Sequence, residues 1–337
     1  MKAFLVLVRL RLGEVRRSRA AALVHFGLPM ALLLVTSALF LDGHPFERRR
    51  LAVVASEGLP AQVEARLAEF PELRVTLEAS EPVAFNKLTA HSVQAVLLCR
   101  AGRCELLASS RDRLLARALQ GLLPAGSTVR TVPVDGKAYL RYLFPGLLTW
   151  TIVIEGLFGM GYAMAHYRGN QFLRKLATTP LTKFWFVSAQ IVARATLALV
   201  QIGLMTVAAR LAFDLPVTPA GALWLAGLGL CGLLTFIAAG FALACLVRTE
   251  VNLMDTINAV AVVVVLTSEF FFPADELPGP LPALSSALPS TQLVRMLRAI
   301  LLHGDTTAAT LGPGLLVLTA WTVATGAVSL RAFRWHD

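Results

Sequence analysis

The chain of 337 residues is 56% hydrophobic and only 15% charged, with a mean hydropathy of +0.66. That balance excludes a soluble domain with a polar skin and predicts a polytopic membrane protein. The formal net charge of +10 does not point to nucleic acid, because much of the Lys and Arg flanks apolar runs on one side, as the positive-inside rule requires.

Residues 1–19 mix Phe4, Leu5, Leu7, Val8 and Leu10 with six Lys or Arg, which suits an interfacial helix on the cytoplasmic face. Residues 20–41 form an apolar run long enough, at about 1.5 Å per residue, to cross a ~30 Å hydrocarbon core, with Pro29 bending it. The run is longer than a signal-peptide core of about 7–15 residues, so an uncleaved anchor is expected.

From residue 42 to about 140 the composition turns soluble. Residues 51–55, 73–78, 93–99 and 104–108 read as strands, and the intervening stretches as helices, which predicts a small α/β domain inserted between the first and second spans. Its flanking spans carry their basic clusters at the far ends, so the domain is expected outside the cytoplasm. Cys99 and Cys104 bracket a four-residue turn containing Gly102 and would face each other across a hairpin. Either a disulfide, in an oxidising compartment, or two reduced thiols fits that spacing.

Residues 141–337 carry five further spans: 142–165, 184–212, 220–247, 251–272 and 309–330. The second span is rich in glycine (Gly156, Gly159, Gly161), which permits close helix approach. Its GLFGMG run lacks the Lys-Ser/Thr ending of a phosphate loop, and no GxxxxGK[ST] occurs anywhere. Residues 273–308 begin too Pro-rich for a span and end in a short amphipathic helix that stops at Gly304, predicting an outer re-entrant or amphipathic segment. Six spans then place both termini in the cytoplasm, since the basic clusters at 1–19, 168–183, Arg248 and Arg331 with Arg334 share one side.

Between the second and third spans lies a basic amphipathic loop with Arg168, Arg174, Lys175 and Lys183, and with Phe172, Leu173, Leu176 and Leu181 about one helical turn apart until Pro180 interrupts. Such a piece lies at the membrane surface and offers an apolar ridge to a soluble partner. The run from Leu176 through Thr179, Pro180 and Leu181 to Thr182, before a span, resembles the Leu-x-x-Thr-Pro-Leu-(Ser/Thr) signature of the ABC-type-2 permease family, the membrane subunits of ATP-driven exporters. Phe271, Phe272, Pro273, Leu277 and Pro278 are similar to that family's Phe-Phe-Pro-x-x-x-Leu-Pro segment. The resemblance covers the C-terminal two thirds; where the family often has an acid before the Arg-Gly of the loop, this chain has His166 and Tyr167.

The resemblance implies cytoplasmic ABC ATPase subunits as partners, with ATP and Mg held there and no cofactor on this chain. It also implies a second permease copy or a paralogue, in the cytoplasmic (inner) membrane. Residues 168–182 are then the coupling helix, with Arg168, Phe172, Leu173, Arg174, Lys175, Leu176, Thr179, Pro180 and Leu181 as the ATPase-coupling residues. Competing readings are an ion-coupled secondary transporter, and a membrane sensor or secretion scaffold that uses the outer domain for a ligand or partner. No catalytic constellation supports an enzyme: there is no GxSxG, and the Cys and His lack metal spacing.

Charged groups at bilayer depth need partners, because each costs about 2.5–3.5 kcal/mol to insert. Glu155 and Arg194 fall at matching depths on consecutive antiparallel spans and are expected to pair, as a structural clamp or as a polar station on the transport path. A charge-reversed double variant should then recover what either single change loses. Glu269 and Arg210, with Asp214 near, lie at outer helix ends and, with Phe271 and Phe272, form a candidate outer gate.

Overall fold

The computed structural model describes residues 6, 8, 9, 13, 23–40, 50–55, 63, 74–77, 81, 84, 88, 93, 95–100, 103–109, 119, 120, 127–132, 137–169, 182–247, 249–270 and 281–332. It divides into two compact units, residues 36–142 and residues 1–35 with 143–337.

The first unit holds a five-stranded mixed sheet: β1 (Arg50–Ala55), β2 (Arg74–Leu77), β3 (Ala95–Arg100), β4 (Arg103–Ser109) and β5 (Thr128–Val132), in spatial order β2-β1-β3-β4-β5. β1 runs parallel to β2 and β3, β3 and β4 form an antiparallel hairpin, and β5 is parallel to β4. The cores of β1, β3 and β4 read as apolar runs because both faces are covered. Leu51, Val53, Leu97 and Leu106 pack with Val63 and Leu119 on one face; Ala52, Val96, Leu98 and Leu107 pack with Ala84 and Leu88 on the other. Cys99 and Cys104 are register partners on the first face and are disulfide-bonded. β5 was not expected from the sequence; its residues Thr128–Val132 are rich in Thr and Val but do not alternate strictly.

The second unit is helical. Leu23–Gly27 form a π-helical turn that leads into α1 (Leu28–Phe40), followed by α2 (Ala138–Gly169), α3 (Lys183–Phe213), α4 (Pro219–Leu246), α5 (Glu250–Thr267), α6 (Leu281–Ala287), α7 (Pro289–His303) and α8 (Ala308–Ala332). Five of them (α2, α3, α4, α5 and α8) are long and apolar enough to cross a membrane; among the described residues α1 is too short to be counted. The chain's own chemistry sets these ends. Thr218 accepts the Gly221 N–H with Pro219 in the first turn of α4, and Thr249 accepts the Asn252 N–H at the start of α5. Gly304, at φ 65°, closes α7 in the left-handed conformation that favours glycine. Before α8, the Asp305 carboxylate accepts the Thr310 hydroxyl at 2.6 Å and the Thr307 N–H at 2.9 Å, which hold its carboxyl below the usual value.

Boundaries differ from expectation at three places. α2 extends from 138 to 169, so Arg168 belongs to its last turn; Phe172, Leu173, Arg174, Lys175, Leu176, Thr179, Pro180 and Leu181 lie outside the described residues, as do Phe271 and Phe272. α5 ends at Thr267 rather than 272, leaving Glu269 on the turn that follows. Two helices, α6 and α7, occupy the region where one was expected.

α2 is the central helix: 78% of its most apolar window is buried within the chain, against 17% for α8, which faces outward along most of its length. α2 approaches α4 closely at two glycines. A β-carbon at Gly240 would lie 2.6 Å from the Leu157 carbonyl oxygen, and one at Gly156 would lie 2.4 Å from the Phe236 β-carbon and 2.8 Å from its carbonyl carbon. Only glycine permits that approach at a helix crossing.

Gly240→Ala should therefore lower stability by about 1–3 kcal/mol through overpacking, whereas Gly227→Ala, with open space beside it, should be near neutral. Thermal unfolding of the detergent-solubilised protein would rank the two, and equal melting temperatures would contradict the close crossing. A second expectation concerns pH. Asp305 has a depressed carboxyl pKa, so its contribution is complete above the ordinary carboxylate pKa of 3.8 and is lost as pH falls through the lower folded value. Amide exchange at the start of α8 should accelerate only on strong acidification, and Asp305→Ala should show the fast exchange already at neutral pH.

Candidate functional site: buried charge pairs in the helical bundle

Glu155 sits midway along α2 and Arg194 in the first half of α3. Arg194 Nη1 donates to Glu155 Oε1 at 2.9 Å, with the two residues 9% and 5% exposed. Depth follows from the aromatic residues at the start of α3: Phe184 and Trp185 are exposed, as residues of a membrane-interface belt are, and Arg194 lies nine positions on. At about 1.5 Å per residue that is about 14 Å, near the middle of a ~30 Å core.

The guanidinium has a second acceptor. Arg194 Nη2 donates to the Gly159 carbonyl oxygen, and a β-carbon on Gly159 would come within 2.6 Å of Arg194 Cζ. Gly159 thus makes the room that the guanidinium fills. This part of the glycine run serves a charge rather than a helix, which periodicity could not distinguish. The α2–α3 seam carries further polar ties. Gln190 Nε2 donates to the Tyr167 hydroxyl at 3.1 Å nearer the 170–181 segment, and Thr151 Oγ1 lies 3.8 Å from Met205 Sδ on the other side of the ion pair.

A second cluster joins α7 to the end of α5. Glu269 is 7% exposed; its Oε1 accepts from Arg295 Nε at 3.1 Å and Nη2 at 2.6 Å, and its Oε2 lies 3.7 Å from Arg298 Nη1. Arg298 Nη2 also donates to the carbonyl oxygens of Glu269 (2.7 Å) and Phe270 (3.3 Å). These bonds stand in for the helical ones that α5 forgoes when it ends, with Ser268 Oγ held 2.6 Å from Ser290 Oγ. Of the candidate gate residues, Arg210 reaches the Val217 carbonyl oxygen at 3.5 Å, while Glu269 is held by Arg295 and Arg298. The sequence reading missed both arginines because 26 and 29 positions separate them from Glu269; the signal available was their three-residue spacing on one amphipathic helix.

The same turn abuts α2. A β-carbon on Gly146 would come within 2.8 Å of the Phe270 carbonyl carbon, and the Trp150 and Phe270 rings lie 5.8 Å apart. Among the described residues no three His, Cys, Asp or Glu side chains converge as metal ligands would.

The ABC-2 type transporter family matches residues 106–302, which run from within β4 to the last turn of α7. The chain belongs to the ABC-2 type transporter family. It is accordingly a multi-pass membrane protein of the ABC permease class, a class that associates with ABC ATPase subunits. No curated protein matches it. The permease's two charge clusters, Glu155 with Arg194 and Glu269 with Arg295 and Arg298, both fall within the matched region.

Breaking one partner of a buried pair strands the other charge, so Glu155→Gln should cost about 3–5 kcal/mol, while removing both charges as Glu155→Gln with Arg194→Met should cost far less. The Gly159 carbonyl changes the expectation for charge reversal: a carboxylate at 194 would face a carbonyl oxygen, so the reversed pair should recover only part of the loss. Stability of the purified variants in detergent checks this order. In the second cluster Arg298→Ala should destabilise more than Arg295→Ala, because Arg298 is 9% exposed at its side chain against 42% and also holds two backbone carbonyls.

Proposed function

We propose that this chain is the membrane subunit of an ATP-driven exporter that moves a hydrophobic or amphipathic cargo out across the cytoplasmic membrane. The family match over 106–302, together with five apolar helices, carries the reading. In this account residues 20–41 supply the sixth span, both termini are cytoplasmic, and residues 42–140 form an α/β domain outside, where an oxidising compartment suits the Cys99–Cys104 bond. Two copies, or this chain and a paralogue, face each other above a pair of ABC ATPase subunits. The ATPases hold ATP and Mg, and this chain is not catalytic.

The proposed mechanism is mechanical. Closure of the ATPases on ATP presses on residues 168–182, where Phe172, Leu173 and Leu176 form the apolar ridge and Arg168, Arg174 and Lys175 hold it at the headgroups. That push displaces α2 and α3, between which the loop is strung, and opens a path between the protomers. The outer exit is formed by Glu269, Phe271 and Phe272, of which Glu269 is secured to α7 by Arg295 and Arg298. An ion-coupled transporter is the weaker reading, because among the described residues the buried acids Glu155 and Glu269 are each engaged by an arginine.

Leu173→Asp with Leu176→Asp should abolish co-purification of the ATPase and ATP-driven transport while membrane insertion persists. A complex that survives both substitutions would remove 168–182 as the docking site. Replacing Cys99 and Cys104 by Ser should lower the stability of the outer domain by about 2 kcal/mol, the loop-closure value for so short a loop, and alkylation of intact cells should find both thiols bonded in the wild type.

A further inference from the structure

We infer that β2 is a self-association edge: in the assembled permease, β2 of one copy pairs antiparallel with β2 of a second copy about Thr76, joining two five-stranded sheets into one. The inference rests on the two-copy arrangement proposed above and adds the contact by which the sheet domains of the two copies hold each other.

The two edges of the sheet are unlike. β2 and β5 are its outermost strands, and each is bonded on one side only among the described strands. At β5 the apolar side chain on the disulfide-bearing face, Val129, packs against the core cluster, while the neighbouring Thr128 and Arg130 are exposed. A polar, charged rim of that kind keeps a sheet edge from pairing. β2 is built the other way. Val75 and Leu77 stand beside Leu51 and Val53 in register and extend the same apolar row. Leu51 and Val53 are closed off from solvent, yet Val75 is 38% and Leu77 75% exposed. The cover over this face stops one strand short, and an edge without a neighbour carries its apolar row into solvent.

The order of residues along this edge selects the partner. A two-fold axis lays a strand antiparallel on itself, so only a sequence complementary to its own reverse fits. Residues 74–78 read Arg-Val-Thr-Leu-Glu. Centred on Thr76, that order sets Arg74 against Glu78 of the second copy, Val75 against its Leu77, and Thr76 against its Thr76. Opposite charges, paired apolar side chains and facing threonines are the cross-strand combinations that favour pairing. Centring on Val75 instead would set Glu72 against Glu78, two like charges. Thr76 itself has a hydroxyl to satisfy: on the opposite face its Oγ1 is buried without a hydrogen-bond partner, which costs free energy. Rotation about χ1 turns it to the seam, where two facing hydroxyls donate and accept in turn.

Five residues of strand edge bury less than the roughly 1,000 Å² that a free-standing interface needs. The pairing therefore belongs to chains already held in one complex, where tethering raises the effective concentration of the second edge to about the millimolar range.

The test uses the full chain with its ATPase subunits in lipid nanodiscs, expressed as two differently tagged copies. Cys231 and Cys245 are replaced by Ser so that only added thiols report, while Cys99 and Cys104 stay bonded to each other. Oxidation of Thr76→Cys by copper phenanthroline should give a covalent dimer, because directly opposed residues of an antiparallel pair have Cα atoms roughly 4.5–5.5 Å apart, within disulfide reach. Leu77→Cys is the more exposed site, yet its two copies stand out of register beyond about 7 Å and should give little dimer. Thr128→Cys, on the other edge, should give none. Arg74→Glu should lower the Thr76→Cys yield about fivefold, and Glu78→Arg in the same chain should restore it.

Should Thr76→Cys fail to insert, Val75→Cys on one tagged copy with Leu77→Cys on the other reads the same register. Equal yields at 76, 77 and 128 overturn the edge pairing and leave the exporter reading standing, as does the lack of any Thr76→Cys dimer in complexes whose two tags co-purify. Tags that do not co-purify although ATPase is bound mean one copy per complex, which overturns the pairing of like strands alone. A preparation that binds no ATPase defeats the exporter reading, and the assembly on which the pairing depends goes with it.

Discussion

A guanidinium and a carboxylate at mid-membrane depth have no water to fall back on, and the bundle is arranged around satisfying them. Stripping water from each ion costs several kcal/mol, which the attraction between them repays only when geometry and additional hydrogen bonds are good. Arg194 meets that condition by donating to Glu155 and to the Gly159 carbonyl at once. The absence of a side chain at 159 is as much a part of the ion pair as either charge, because a methyl group there would occupy the volume of the guanidinium.

The rest of the helical unit follows from how α2 must be shared. It is the most enclosed helix and meets α3 through polar groups, α4 through glycine backbone and the turn after α5 through Gly146 and Trp150. Each interface uses the chemistry that hydrocarbon allows, where no hydrophobic force between helices exists and close packing and hydrogen bonds must serve instead. α3, α5 and α8 keep largely apolar exposed faces. The turn at 268–270 is the other point of convergence: the chain leaves helical geometry there, and Ser290, Arg295 and Arg298 of α7 take up the polar groups so exposed.

The sheet unit obeys a different economy. Its inner strands β1, β3 and β4 are apolar on both faces because residues on either side cover them, so alternation is lost there. The disulfide joins two residues already opposite each other in an antiparallel hairpin, fastening β3 to β4 on the covered face.

Five of the spans, the hairpin spacing of the cysteines and the pairing of Glu155 with Arg194 were legible from the residues alone. Each depends on hydropathy, local spacing or the regular rise of a helix, which are properties of neighbours along the chain. The partners of Glu269, the use of Gly159 as the seat of a guanidinium, the edge strand β5 and the end of α5 at Thr267 were decided only in three dimensions. They depend on which distant atoms come into reach: nothing local says that a carboxylate will meet Arg295 and Arg298, because the contact is created when α7 folds back onto the end of α5 and brings both guanidiniums to it.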